Sequence, residues 1–374
     1  MLFELIQIAL CHRDRLSHAP TEEDWNNLFD EAKKQSVVGI AFEGVQRLPK
    51  EQWPPQAQLF EWIGAAESIK QKNAMLNKQC VKLQERFAEA GIKSSILKGQ
   101  GVARYYKGYP LPLPKGKDDG LPKGEPLGML RQPGDIDVYV DCGRERALQF
   151  AHDCGLKDVR WDYKHLHLDV FRGTEVEVHY RVEVLLNLWK NRKLQKWFKE
   201  HEEWLFSQNG DLITPTVAFN RFYILLHIYR HFLYEGVGLR QLMDYYYVLK
   251  SLSPSLSPRG EESSQIELTK LLRQLGMWKF ARGVMWIMHE VFGLEKEYMI
   301  GEPLEKEGRF ILSEVMAGGN FGHHDERLAS GKKGKMQTVR KIVKHNVHLV
   351  RHYPSEIIWP PIWFVWHKCW KWSI

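Results

Sequence analysis

Cysteine is scarce in this chain of 374 residues, and the five present (Cys11, Cys80, Cys142, Cys154 and Cys369) are odd in number, scattered and never spaced as CxxC. That pattern excludes a disulfide framework and a cysteine zinc site, and reads as reduced thiols in a cytoplasm. Long apolar runs are missing as well. No segment approaches the roughly 20 uninterrupted apolar residues needed to span a bilayer. The opening stretch, Met1-Leu2-Phe3-Glu4-Leu5-Ile6, has neither the basic region nor the small-residue cleavage site of a secretory signal, so the expected location is cytoplasmic.

What is present argues for a folded protein. Hydrophobic residues make up 44% of the chain and 14 residues are tryptophan, enough to bury a full core divided among two or three subdomains. The net charge of +7 is compatible with a polyanionic ligand such as a nucleoside triphosphate or RNA, though a solvated basic surface is the simpler reading.

The first 91 residues read as helical. Within Gln56–Ala90, apolar residues from Leu59 to Phe87 recur at three- and four-residue steps, and Gly91 closes the helix. Strand character follows over 92–97, ending at Lys98-Gly99. Residues 108–134 are rich in Pro, Gly and Lys and repeat Leu-Pro-Lys-Gly at 113–116 and 121–124, which reads as a looped-out insertion rather than a lid. Beyond a strand at Asp135–Val140, a helix is expected over Gly143–Cys154. A hairpin then joins His165–Phe171 to Thr174–Arg181 at Arg172-Gly173. From Glu183 the pattern is helical, clearest over Pro215–Tyr234 and Val237–Leu249. The expected organisation is an N-terminal helical region (1–91), a core (92–182), a helical region (183–250), a Ser/Pro linker (251–265) and a C-terminal helical region (266–374). The fold class is α+β, a small mixed sheet flanked by helices.

The chemistry concentrates in two strands. In Gly134-Asp135-Ile136-Asp137-Val138-Tyr139-Val140, alternation puts Asp135 and Asp137 on one face and Ile136, Val138 and Val140 on the other. Two carboxylates held that close repel unless a cation sits between them, and Mg²⁺ suits an all-oxygen site. In Thr174–Arg181, Glu175, Glu177, His179 and Arg181 share a face. If the two strands are neighbours, Glu177 supplies a third carboxylate. Upstream, Leu97-Lys98-Gly99-Gln100-Gly101 ends a strand in a cationic, glycine-rich turn able to take a phosphate.

These elements together, Leu97-Lys98-Gly99, Arg131, Gly134-Asp135-Ile136-Asp137 and Val176-Glu177-Val178-His179-Tyr180, resemble the uncharacterised nucleotidyltransferase family of the polymerase-beta-like superfamily, over residues 30–250. The resemblance implies an enzyme that moves a nucleoside monophosphate from an NTP to a hydroxyl of an acceptor (protein, RNA or small molecule) and releases pyrophosphate. It implies Asp135, Asp137 and Glu177 as ligands of two Mg²⁺ ions. Lys98 and Gly99 stand where the superfamily has a Gly-Ser phosphate turn, and Arg131 is suited to bidentate phosphate contact. Lys-Gly in place of Gly-Ser, and the long spacing from Gly99 to Asp135, depart from the pattern. They keep open an alternative, a non-catalytic nucleotide-binding or interaction module with the same fold.

Other residues carry weaker signals. His165, His167 and Asp169 share a strand face, suited to orienting a substrate or to decorating a hairpin. His227 and His231 lie one helical turn apart, as do Arg240 and Asp244; the first pair reads as packed histidines and the second as an ion pair. Gly318–His324 reads as a helix end and loop, and Lys332–Lys335 as a solvated loop. Trp359, Trp363, Trp366 and Trp370 form a helical stripe expected to pack on the protein, with a membrane-interface helix as the alternative.

Overall fold

The computed structural model describes residues 1–106, 127–252, 258–320 and 349–372. The Leu-Pro-Lys-Gly repeats, the Phe321–His324 end of the glycine-histidine cluster and the Lys332–Lys335 run lie outside these residues.

The N-terminal part is helical: α1 (Leu2–Ala9), α2 (Glu22–Lys34), α3 (Val38–Arg47) and the long α4 (Gln56–Glu89). α2 begins at Thr21, whose side chain accepts from the Asp24 amide while Asp24 accepts from the Thr21 amide, so each satisfies an orphan donor. In α4 the buried residues Trp62, Ala66, Ile69, Asn73, Leu76, Cys80, Leu83 and Phe87 alternate four- and three-residue steps. That spacing makes one continuous stripe along the helix. Gly91, at φ +68°, turns the chain out of it.

The stripe's second half packs under a four-stranded sheet. β1 (Ser94–Ile96) pairs antiparallel with β2 (Ile136–Val140), β2 runs parallel to β4 (Thr174–His179), and β4 is antiparallel to β3 (His165–Phe171). β2 is therefore an interior strand, and all five of its residues are buried. Ile136, Val138 and Val140 join Val176 and Val178 in one core against α4 and α6 (Gly143–Asp153), where Phe87 and Phe150 stack with centroids 4.2 Å apart. Alternation then forces the other face of the same strands to be polar, and that face carries Asp137, Glu177 and His179.

Facing it is the helical body. After the four-residue α5 (Gln100–Ala103) come α7 (Leu188–Glu200), α8 (Val217–Tyr234), α9 (Leu239–Lys250), α10 (Pro258–Gln274), α11 (Trp278–Glu290) and α12 (Glu305–Gly318). They bury a second, larger core with α1 and α3. A small hairpin, β5 (Ser207–Asn209) with β6 (Leu212–Thr214), interrupts the helices where none was expected. Gln84 of α4 ties it down by donating to the Ile213 carbonyl and accepting from the Ile213 amide. The Ser/Pro stretch at 251–265 is helical from Pro258, so its second half belongs to α10. The chain ends in α13 (Pro354–Ile357) and α14 (Trp359–Trp372). The architecture is mixed helix and sheet, an α+β fold, and among the described residues no helix is long and apolar enough to cross a membrane.

Candidate active site

A cavity of about 350 Å³ opens between the polar face of the sheet and helices α8 and α9. Its sheet side carries Lys98, Gly99, Asp135, Asp137, His165 and Glu177; its helical side carries His227, Arg230, His231, Arg240 and Asp244. Strand register explains the sheet side. Asp137 and Glu177 are partners across the parallel pair, and the Leu97 amide donates to the Asp137 carbonyl at 2.9 Å, which delivers Lys98 to the same place. Gly99 follows with φ +56° and ψ −110°, a conformation closed to most L-residues, and swings the chain into α5. At Gly101 a Cβ would stand 2.5 Å from the Ile96 carbonyl oxygen, so only glycine lets α5 fold back onto β1.

Oxygen atoms of Asp135, Asp137 and Glu177 lie within 4.8 Å of one another. Their charges are unequally compensated. Asp137 is buried, which would raise its pKa, yet contact with Lys98 Nζ at 2.7 Å and His179 Nε2 at 2.9 Å holds its carboxyl well below the usual range. Burial likewise opposes ionisation of Glu177, but the hydrogen bond with His179, 3.3 Å away, brings it down to about 2. Asp135 moves the other way, raised first by repulsion from Asp137 and then by burial. A hard divalent cation among the three oxygens would remove that repulsion, so the donor set fits such an ion. Two mixed sets, His165–Glu177–His179 and His167–Glu175–Glu177, are equally compact. Their nitrogens suit softer metals than Mg²⁺. Burial and the neighbouring His179 push His165 down to about 4, so its ring is neutral at pH 7.

The helical side is built from buried ion pairs. Glu183, fully buried, lies 3.3 Å from Lys164 Nζ, 3.2 Å from Arg230 Nε and 3.5 Å from His227 Nδ1. Arg230 and His231 also meet Glu235, at 3.0 and 2.9 Å. Across the cavity, Arg131 donates through Nε and Nη2 to the two oxygens of Asp244 at 2.6 and 2.8 Å, and the Tyr106 hydroxyl donates to Asp244 at 2.8 Å.

The candidate residues named from sequence thus converge: Lys98, Gly99, Arg131, Asp135, Asp137 and Glu177 all line one cavity. Arg131 differs in its engagement, because the nitrogens a phosphate would use are taken by Asp244. Asp244, expected to pair with Arg240 one turn before it, is clasped by Arg131, and Arg240 also feels its charge. Of the β3 residues, His165 reaches the cavity and Asp169 is exposed. His227 and His231 are buried, as expected, though against carboxylates rather than apolar neighbours. Lys164, Glu183, Arg230 and Glu235 were not anticipated. A signal existed for part of this set: His227, Arg230, His231 and Glu235 recur at helical spacing through an otherwise apolar helix.

A small mixed sheet presents three carboxylates, a group that could hold a metal ion, to a cavity that Lys98, Arg230 and Arg240 also line. A family model described as an uncharacterised nucleotidyltransferase matches residues 21–111 and 126–293, and the chain belongs to that family. Comparison with curated proteins and with solved structures gives no match.

Proposed function

We propose that this chain transfers a nucleoside monophosphate from an NTP to a hydroxyl of an acceptor, with release of pyrophosphate. The observation that carries the reading is the convergence of Asp135, Asp137 and Glu177, from two adjacent strands, beside the Lys98-Gly99 turn. Asp135, Asp137 and Glu177 would hold two Mg²⁺ ions, which supply charge neutralisation at the triphosphate and lower the pKa of the attacking hydroxyl. The residues do the rest by position. Lys98 brings a fixed positive charge to the floor of the cavity, and Gly99 leaves its backbone free of a side chain where the triphosphate lies. Arg131, clasped by Asp244, would fix the opposite wall as a charge-neutral buried pair, without spending its own fork on phosphate. Glu177, ionised at neutral pH, would help take the acceptor's proton as the new O–P bond forms and the bond to pyrophosphate breaks.

The completeness of the acid trio favours catalysis over a purely binding module. The test is incubation with each NTP, radiolabelled at the α-phosphate, with Mg²⁺ and cell extract, beside Asp135→Asn. Label moved to a macromolecule or small product by the wild type alone is the expected result. NTP binding with no transfer under any of these conditions would overturn the reading in favour of the non-catalytic module.

A further inference from the structure

The C-terminal helix α14 carries two apolar faces, and among the described residues only one of them packs on the fold. On the inner face Trp363, Trp366 and Trp370 close edge-on around Tyr163, at 6.5, 5.1 and 4.9 Å between centroids, and Trp370 also meets Trp161. The outer face consists of Ile362, Val365, Cys369 and Trp372, continued by Ile358 in the turn just before the helix, all exposed. From Ile358 onward these follow one another by four, three, four and three residues, so they line up along one side of the helix. Ile358 is 60% exposed, Val365 63% and Trp372 87%. Single exposed apolar residues mean nothing, but a continuous stripe that a helix holds out to water calls for an occupant.

Charge decides which occupant. α14 contains no acidic residue, and the one acid in the residues described from 349 onward, Glu356, is buried and paired with Lys190. The cation beside the stripe is Lys368, folded over the exposed ring of Phe364 at 4.6 Å, while Lys371, also exposed, reaches over Trp161 at 5.4 Å. Arg351, exposed just ahead of α13, adds another. A second copy of the stripe would meet like charge with like. Two heptads are also short for a stable helix pair. An anionic lipid surface meets both needs, taking the apolar side chains below the headgroups and the lysines among them.

We propose that the outer face of α14 docks this protein on membrane surfaces that carry anionic lipids. The attachment is peripheral and independent of the transfer reaction. It would hold the cavity close to the bilayer, because Tyr163, which packs on α14, lies between the cavity residues Asp162 and Lys164.

The test is sedimentation of the full chain with vesicles of phosphatidylcholine alone or mixed with phosphatidylglycerol. Expected is pelleting with the mixed vesicles only, released as salt shortens the Debye length from about 10 Å at 0.1 M to about 3 Å at 1 M. Ile362→Glu/Val365→Glu, on the outer face and away from Tyr163, should weaken pelleting at least about tenfold. Lys368→Glu should weaken it by about fivefold or more. Circular dichroism melts that match the wild type would exclude misfolding as the cause. Failure to pellet with either vesicle, or equal pelleting of wild type and variants, would overturn the proposal. So would a wild-type dimer that Ile362→Glu/Val365→Glu dissolves, or an RNA that binds the tail while vesicles do not.

Discussion

Lys98 and Asp137 are in direct contact, Nζ to Oδ1 at 2.7 Å, whereas Asp135, on the same strand face, is governed by repulsion from Asp137. The two aspartates therefore serve stability in opposite senses, and substitution should separate them. Asp137→Asn strips the partner from a largely buried lysine and from the buried His179, a loss on the order of 3–5 kcal/mol. Asp135→Asn removes a repulsion and should leave stability unchanged or raised. Both should lower transfer by roughly 100-fold or more, as expected when a group that stabilises transition-state charge is lost. Urea unfolding alongside the transfer assay checks this; equal destabilisation by the two variants would contradict the charge assignment.

The same repulsion predicts a response to divalent ions. An ion that binds the folded chain alone adds about 2.7 kcal/mol of stability at 100 times its dissociation constant. Added Mg²⁺ should raise the thermal midpoint of the wild type, a chelator should reverse the gain, and Asp135→Asn/Asp137→Asn should not respond. Lys98→Ala should bind the ion more tightly, because the lysine no longer competes for Asp137, while NTP binding weakens. A Mg²⁺ titration followed by scanning calorimetry measures both effects.

Glu183 sets an acid limit on the fold. Burial alone would raise its pKa, but Arg230, Lys164 and His227 hold it well below the ordinary value of 4.5. Because the folded value is depressed, the stabilisation is complete above about pH 4.5, where the unfolded chain is ionised, and is lost as pH falls below that. Glu183→Gln should be less stable than wild type at pH 7, and the difference should shrink as pH falls towards 3. Chemical unfolding at a series of pH values reads this directly. Parallel curves for the two proteins would mean that Glu183 is not ionised in the folded state.

The sheet was legible in the sequence because its signals are local. Asp135-Ile136-Asp137-Val138 and Glu175-Val176-Glu177-Val178 alternate so strictly that each strand announces both its faces. The parallel pairing that sets Asp137 against Glu177 was only a condition, since strand order is fixed by packing on α4 rather than by either strand. The β5–β6 hairpin escaped notice because three-residue strands are too short to show a period. Glu183 escaped for a different reason. Its partners come from β3's approach and from α8, and no spacing along the chain marks a carboxylate whose cations arrive from elsewhere. The clasp between Arg131 and Asp244 spans more than 100 residues, and no spacing along the chain marks it.

That clasp separates a structural from a ligand-binding role for Arg131. Its guanidinium meets both oxygens of Asp244 while buried, a planar two-point contact that the single ammonium of lysine cannot reproduce. If Arg131 holds the cavity wall, Arg131→Lys should lose about 1.5–3 kcal/mol of stability, the range for hydrogen bonds to charged groups. The Michaelis constant for NTP should then change little, because the positive charge remains in place. If the guanidinium instead leaves Asp244 to grip phosphate, the Michaelis constant should rise with little change in stability. The geometry predicts the first outcome. Asp244→Asn gives an independent check, for it weakens the clasp without touching Arg131 and should reproduce the stability loss. Steady-state kinetics and unfolding measured on both variants distinguish the two roles, since a phosphate-gripping arginine freed from Asp244 would bind NTP more tightly rather than unchanged.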